Sequence, residues 1–189
     1  MDTINIVLCG LGGQGILFMT KVLAQAGLDK GLRVMGAETH GMAQRGGSVV
    51  SHLRFGEVEN SLVKTDSALY LLALEESEGY RNLPFVSSGG RMYINTESKD
   101  FPKGEIREYL EKKEILCRGL QAGRIAEELG GPLSSNLALL GYFAALEQNP
   151  VLAEEMRSTI ERISPERFRE INLRIFDAGV DRAGEEKPK

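Results

Sequence analysis

The sequence predicts an α/β fold, a three-layer sandwich built around a mostly parallel, Rossmann-like sheet. Residues 4–10 form a short apolar run rich in β-branched side chains, which is typical of a strand buried on both faces. Similar runs recur along the first two thirds of the chain, and segments with helical spacing of apolar residues separate them. This alternation predicts helices packed on both faces of one sheet.

The first 38 residues predict a strand–helix–strand unit. The strand at residues 4–10 leads into a glycine-rich loop, and the helical spacing of residues 16–31 ends at Gly31. A second strand follows at residues 32–38. A unit of about thirty residues is the size of a right-handed crossover between two parallel strands.

The middle of the chain predicts further strands and one helix, recognised by apolar runs, by Pro84 and by glycine pairs. The segment 107–117 is compatible with a helix or a strand, and we favour a short strand at its end. The predicted elements are strands at residues 48–55, 67–74, 91–95 and 115–117, a helix at residues 75–83 and a turn at residues 87–90.

The last third of the chain is predicted to be helical. Ser135 and Asn136 are suitable capping residues for a long apolar helix, and Pro150 separates that helix from the next. We expect a single domain over residues 1–180 and a disordered tail over residues 181–189. The predicted helices are residues 120–130, 135–148, 151–163 and 166–179.

The composition excludes several classes of protein. A net charge of −4 with interleaved charges argues against a nucleic-acid partner, which needs a basic face. The apolar runs are too short to span a membrane, and the N-terminus lacks the basic segment of a signal peptide, so we expect a cytoplasmic protein. Cys9, Cys117, His40 and His52 are too few for a disulfide framework, an iron–sulfur cluster or a histidine-rich metal site.

The loop after the first strand, GLGGQG, matches the pattern G-x-G-x-x-G. Backbone amides at such a loop can bind the pyrophosphate of NAD or FAD, and Glu38 stands where a ribose-binding acid would. The same glycines can instead serve only a tight turn and close packing of strand on helix. Both interpretations stay open, with Gly10, Gly12, Gly13, Gln14 and Gly15 as candidate site residues.

A second candidate loop, HGMAQRGGS, precedes the third strand. The guanidinium of Arg45 has a planar fork of donors suited to a carboxylate or phosphate, unless it only pairs with an acid such as Glu38. We expect the loop at the carboxyl edge of the sheet beside the glycine loop. Its candidate residues, for contact with a ligand or a partner chain, are His40, Gln44, Arg45, Gly46, Gly47 and Ser48.

Together the two loops resemble those of the gamma-type subunits of 2-oxoacid:ferredoxin oxidoreductases. Within that family, the residues before Gly46 and Gly47 fit the beta subunit of indolepyruvate:ferredoxin oxidoreductase better than the pyruvate or 2-oxoglutarate types. The resemblance continues to the C-terminal third and covers residues 4–179. It is carried there by Asn136, Leu140 and Gly141 in one helix and by Asn172, Phe176 and Gly179 in another.

The resemblance implies an accessory subunit of a heteromeric enzyme that is inactive by itself. The complex would decarboxylate indolepyruvate or another aryl pyruvate, pass electrons to ferredoxin and release an acyl-CoA. A large partner would carry thiamine diphosphate, Mg²⁺ and the 4Fe-4S clusters, and CoA would be a co-substrate. We also expect an exposed apolar patch for this partner, on the helix at residues 137–146, on the Arg-Gly-Gly loop or on both.

Three alternatives remain. A gamma subunit acting on pyruvate, 2-oxoglutarate or branched-chain oxoacids belongs to the same class. A stand-alone NAD- or FAD-binding protein would use the glycine loop by itself, and titration with dinucleotide distinguishes it. The third is an α/β ligand-binding module without redox partners, which fits if the chain neither associates nor binds dinucleotide.

Overall fold

The computed structural model describes residues 3–40, 46–147 and 150–186. The chain alternates strands and helices up to residue 120 and is helical thereafter, as predicted. The strands are β1 (Ile4–Leu11), β2 (Val34–His40), β3 (Ser48–Phe55), β4 (Ala68–Ala73), β5 (Val86–Asn95) and β6 (Leu116–Leu120). The helices are α1 (Ile16–Asp29), α2 (Glu76–Asn82), α3 (Gly104–Lys112), α4 (Ala122–Glu128), α5 (Ser135–Leu146), α6 (Ala153–Ile163) and α7 (Glu166–Glu186).

The six strands form one sheet in the order β2-β3-β1-β4-β5-β6. Strands β1, β4, β5 and β6 pair in parallel, whereas β3 is antiparallel to both of its neighbours, β1 and β2. The sheet is therefore mostly parallel, with β1 and β2 running in the same direction but separated by β3. The predicted crossover from β1 to β2 thus skips one position, and the chain returns to fill it.

Helices cover both faces of the sheet, which confirms the predicted α/β sandwich. On one face, α1, α4, α5, α6 and α7 enclose the larger apolar core, which includes Leu8, Leu72 and Tyr93. On the other face, α2 and α3 enclose a smaller core that includes Cys9 and Met92. Alternate residues of β1, such as Leu8 and Cys9, therefore enter different cores, which explains why that strand is apolar throughout.

The predicted turn at residues 87–90 is wrong. These residues belong to β5, where the pairing with β4 shifts from Ala68–Val86 to Tyr70–Arg91. Gly89 has a positive φ of 73° in this irregularity. A bulge uses the same residue types as a turn, because the extra residues leave the ladder and need glycine-like backbone angles.

Two other boundaries differ from the prediction. The ambiguous segment contains helix α3 followed by strand β6, so the favoured strand exists but starts at Leu116 and continues to Leu120. Helix α7 continues to Glu186, so residues 181–186 of the expected tail are helical. Ala183 is buried in the larger core, and this contact accounts for the extension of the helix.

Helix α5 is buried on all sides, and the expected exposed patch on it is wrong. Leu137, Leu140 and Phe143 are at most 1% exposed. The ring of Phe143 packs edge-on against Tyr70 and Tyr93 of the sheet, and α7 covers the opposite side of the helix. Its uniformly apolar sequence therefore reflects burial inside this chain.

Candidate functional site at the carboxyl edge of the sheet

The glycine loop joins β1 to α1 at the carboxyl edge of the sheet. Gly13 and Gly15 have φ values of 99° and 85°, which L side chains rarely adopt. The Leu11 amide donates to Gln14 Oε1 at 2.7 Å, and the Gln14 amide donates to the Leu11 carbonyl at 3.1 Å. The side chain of Gln14 therefore acts as a clamp within the turn.

Gly10 is required by close packing beneath this turn. A Cβ atom at Gly10 would lie 2.7 Å from Gln14 Oε1, 3.1 Å from Ile16 Cδ1 and 3.2 Å from Leu74 Cβ. These three atoms belong to the clamp, to α1 and to the segment after β4. The absence of a side chain thus allows the three elements to converge at the end of β1.

The described end of the second loop, residues 46–48, lies beside the first loop, as expected. Leu11 is paired with Ser48 in the antiparallel β1–β3 ladder. The Gly12 amide donates to the Gly47 carbonyl at 2.8 Å, and the Gly46 amide donates to the Gly12 carbonyl at 3.4 Å. The two glycine-rich segments therefore form one continuous surface of backbone at the carboxyl edge.

Some of the predicted site residues cannot be placed on this surface. Gln44 and Arg45 lie outside the described residues, so their roles and the Arg45–Glu38 pairing stay predictions. His40 ends β2, and its backbone is paired with Val49 of β3. The described part of the site is formed by Gly10, Gly12, Gly13, Gln14, Gly15, Gly46, Gly47 and Ser48.

Asn136 connects α5 to the glycine loop. Its Nδ2 atom donates to the Gly15 carbonyl at 3.2 Å. The expected capping role is wrong, because Ser134 is the N-cap residue and no side chain makes a capping hydrogen bond there. The amide of Asn136 instead bridges the starts of α5 and α1, which a local pattern in the sequence does not reveal.

Glu78 of α2 is a site residue that the sequence analysis missed. Glu78 is 3% exposed as a residue, and its Oε2 atom accepts a hydrogen bond of 2.6 Å from Ser48 Oγ. The next residue, Gly79, has no side chain to separate α2 from the sheet, since a Cβ there would lie 2.9 Å from Ile94 Cδ1. A glycine inside a short polar helix was the available signal that α2 approaches the sheet closely.

Further polar contacts tie together the ends of β4, β5 and β6. Asn95 Nδ2 donates to the Leu74 carbonyl at 3.3 Å, and the Gly123 amide donates to Asn95 Oδ1 at 3.1 Å. Thr96 Oγ1 donates to Glu76 Oε2 at 2.7 Å. These bonds hold the loops along the edge in a fixed arrangement beside the glycine segments.

The geometry does not favour dinucleotide binding. The amides of Leu11, Gly12 and Gln14 already bond within the two loops, whereas a dinucleotide fold points such amides at the pyrophosphate. Glu38 lies one strand further from β1 than a ribose-binding acid would, because β3 intervenes, and neighbouring strands are about 4.8 Å apart. Glu76 and Glu78 in the first turn of α2 add negative charge near the edge.

His52 has a structural environment. It lies in β3 and is 6% exposed, and its Nδ1 atom accepts a hydrogen bond of 3.2 Å from the Val63 amide. Its ring packs edge-on against Phe85 with centroids 5.1 Å apart. Burial lowers the pKa of His52 below its ordinary value of 6.5, which favours the neutral ring.

Both cysteines are free thiols in the smaller core. Cys9 is fully buried, and burial raises its pKa far above the ordinary range, with the nearby Glu78 carboxylate adding to the effect. Burial raises the pKa of Cys117 to about 12, again with a contribution from a carboxylate, Glu76. Across residues 3–40, 46–147 and 150–186, no group of three or more His, Cys, Asp or Glu side chains is arranged to hold a metal ion.

The described residues contain α-helices of 7 to 21 residues. None of those in the described ranges combines the length and the apolar character that crossing a membrane requires.

Comparison with known proteins places the chain among oxidoreductases. A protein described as indolepyruvate oxidoreductase subunit IorB, from Methanothermobacter thermautotrophicus, is 36% identical over 192 residues, which cover 96% of this chain and 98% of the relative. Ketoisovalerate oxidoreductase subunit VorA from Methanothermobacter marburgensis is 30% identical over 94% of this chain, but over only 36% of its own length.

The fold has a counterpart among solved structures. The gamma subunit of a keto/oxoacid ferredoxin oxidoreductase from Geobacter sulfurreducens superposes with a TM-score of 0.77 over 96% of this chain and 99% of its own, at 20% identity. A family model described as pyruvate ferredoxin/flavodoxin oxidoreductase matches residues 5–182. The chain therefore belongs, over residues 5–182, to the pyruvate ferredoxin/flavodoxin oxidoreductase family.

Proposed function

We propose that this chain is the accessory subunit of a heteromeric 2-oxoacid:ferredoxin oxidoreductase that acts on indolepyruvate or a related aryl pyruvate. The observation that carries the proposal is the junction of the two glycine-rich loops through Gly12 and Gly47. It brings two glycine-rich segments together at the edge where open α/β sheets bind their ligands. The substrate assignment is supported by the nearly full-length relative, which is described as an indolepyruvate oxidoreductase subunit.

The proposed complex divides the chemistry between two chains. The large partner carries thiamine diphosphate, Mg²⁺ and the 4Fe-4S clusters, and it passes electrons to ferredoxin. This chain supplies part of the wall around the reacting groups, and CoA enters as a co-substrate. Cys9 of β1 and Cys117 of β6 are free thiols on separate strands. Turnover therefore requires both chains.

The proposal places the partner chain at the carboxyl edge. Leu133, just before α5, is 85% exposed, and Leu17 in the first turn of α1 is 43% exposed. Leu17 lies two residues after the glycine loop in α1. Leu133 lies near the same loop because Asn136, three residues further along the chain, contacts Gly15. Apolar side chains exposed beside main-chain groups are suited to burial in an interface. Arg45 and Gln44 would complete the surface, directed at the partner, at a CoA phosphate or at the substrate carboxylate.

The first experiment is co-expression with the large-subunit gene. We expect a stable complex on gel filtration, which reduces ferredoxin with indolepyruvate and CoA, whereas the isolated chain shows no turnover. Pyruvate, 2-oxoglutarate and 2-ketoisovalerate serve as competing substrates and decide the substrate class. Turnover by the isolated chain, or failure of the two chains to associate, would contradict the proposal.

A pair of matched variants locates the contact. Leu133→Asp places a charge at the carboxyl edge, whereas Leu28→Asp places it at the opposite end of α1, where the leucine is 52% exposed. We expect Leu133→Asp to weaken association with the large subunit and Leu28→Asp to leave it unchanged. Equal effects of the two variants would place the interface elsewhere.

A further inference from the structure

The contact between Ser48 and Glu78 joins the described end of the second loop to a buried carboxylate. Between the described residues of the two loops, the bonds are made by main-chain groups, and one of them, from the Gly46 amide to the Gly12 carbonyl, is long at 3.4 Å. The Ser48 hydroxyl, by contrast, bonds at 2.6 Å to a carboxylate on a different element, α2. A hydrogen bond to a carboxylate is shorter and stronger than one between neutral groups.

Burying the carboxylate of Glu78 costs free energy, and the contacts within its own helix, α2, do not account for how that cost is offset. Its side chain is 4% exposed and has Arg81 Nε at 3.5 Å from Oε1, with the arginine itself mostly in solvent. Removing a carboxylate from water is unfavourable unless donors replace the lost hydration. The Ser48 hydroxyl donates to this carboxylate at 2.6 Å, so the carboxylate and the loop stabilise each other.

The backbone of α2 positions this carboxylate under the loop. Gly79 allows the helix to approach Ala73 and Ile94, since a Cβ would lie 3.0 Å and 2.9 Å from their side chains. The Asn82 side chain donates to the Glu78 carbonyl at 2.9 Å and stabilises the same turn. Glu78 therefore stands on a rigid element, and Ser48 begins the strand that follows the loop.

We propose that Glu78 is a positioning residue, which holds the Gly46–Ser48 segment against the glycine loop in the arrangement that the partner subunit binds. This inference rests on the proposed function, because it assigns the loop a docking role. Without the Ser48–Glu78 bond, the segment would depend on β-ladder pairing and two main-chain bonds to the loop. Part of the population would then leave the binding arrangement, and the apparent affinity falls by that fraction.

The test compares Ser48→Ala with Ser48→Thr and with Ser51→Ala. Ser48→Thr keeps the hydroxyl, and Ser51→Ala removes a buried hydroxyl from the same strand, where it accepts a bond from Thr20 at 2.9 Å. Amide exchange of Gly46 in the isolated chain, measured by NMR, reports the loop directly. Affinity for the co-purified large subunit reports docking, and a thermal melt reports global stability.

We expect Ser48→Ala to speed exchange at Gly46 and to weaken association by about tenfold or more, which is the scale of a lost hydrogen bond to a charged group. Ser48→Thr should keep the Gly46 exchange rate and the affinity for the large subunit near their wild-type values. Ser51→Ala should lower global stability without changing the exchange rate or the affinity. In a double-mutant cycle, Glu78→Gln should add little to Ser48→Ala. Additive effects, or equal Gly46 exchange in Ser48→Ala and Ser51→Ala, would overturn the inference.

The two proposals fail in different ways. If the wild-type chain does not bind the large subunit, the proposed function is wrong, yet Gly46 exchange still decides whether Glu78 orders the loop. If the wild-type chain binds and Ser48→Ala binds equally well, the positioning role is wrong and the proposed function stands.

Discussion

Gly141 of α5 and Gly179 of α7 meet where the two helices cross. A Cβ atom on Gly141 would overlap the carbonyl of Phe176, and one on Gly179 would overlap the carbonyl of Ala138. The helices therefore touch backbone to backbone at this point. Close contact of this kind explains why both positions belong to the segments by which the chain resembles its family.

Replacing either glycine by alanine should destabilise the chain. The added methyl group would have to separate two packed helices, which costs about 3 kcal/mol. Gly184→Ala is the control, because Gly184 lies in α7, the helix that contains Gly179, and no atom lies within 4 Å of the added Cβ. The control should be neutral or slightly stabilising, since alanine favours helix. Urea unfolding, followed by circular dichroism, measures the stability of each variant. Equal unfolding midpoints for Gly141→Ala and Gly184→Ala would contradict the close backbone contact between α5 and α7.

Gly15→Ala should cost more than Gly13→Ala. Both positions have positive φ, so each alanine is strained by about 1 kcal/mol. Only at Gly15 would the Cβ also meet Asn136 Nδ2, at 2.5 Å, whereas Gly13 has open space. Thermal melts of the two variants measure the difference. Adding Asn136→Ala should remove part of the extra cost at Gly15 and none at Gly13, and an unchanged gap would show that Asn136 does not press on the turn.

Glu147 should be important for stability at the opposite edge of the sheet. It is 4% exposed and accepts hydrogen bonds from Arg91, from Tyr93 and, at 3.1 Å, from Tyr70. Burial, with Glu147 nearby, raises the pKa of Tyr70 to about 12. Glu147→Leu leaves three donors without this acceptor and should cost about 3 kcal/mol, whereas Tyr70→Phe should cost about 1 kcal/mol. Chemical unfolding measures the loss of stability in each variant. A larger loss for Tyr70→Phe than for Glu147→Leu would refute the assignment of Glu147 as the shared acceptor.

His52 should make the chain less stable in mild acid. Its pKa is below 6.5 in the folded protein because the ring is buried, so the unfolded chain binds the proton more readily. The free energy of unfolding should therefore fall as the pH drops below 6.5, and the loss should continue through the folded pKa. His52→Asn keeps an acceptor near the Val63 amide but does not titrate. Its stability should fall less than that of the wild type between pH 7.5 and pH 5, and parallel pH profiles would exclude His52 as a source of the loss.

Several features of the site were predictable from local patterns. The glycine loop between strand and helix was recognisable because glycines at that spacing serve a strand-to-helix turn. The neighbouring position of the Gly46–Gly47 segment followed from the rule that loops at the carboxyl edge of a parallel sheet converge. Residues 87–90 were misassigned for an equally local reason, since a bulge and a turn use the same residue types.

Other features depended on contacts between distant parts of the chain. The order of the strands placed β3 between β1 and β2, and this separated Glu38 from the glycine loop. The burial of Glu78 required α2 to approach the sheet, and Asn136 found its acceptor on Gly15, 121 residues away along the sequence. Helix α5 was uniformly apolar because α7 covers it, not because it awaits a partner.

By itself, the sequence determined most of the strands and helices, the position of the glycine-rich turn after β1, and which family the chain resembles. Periodicity and glycine spacing act between residues close along the chain, so they can be read without the fold. Only the tertiary structure decided which strand lies beside which, which helix face is covered and which carboxylate lies beneath the loop. Those outcomes depend on the free energy of packing elements that are distant in sequence, and no local pattern encodes it.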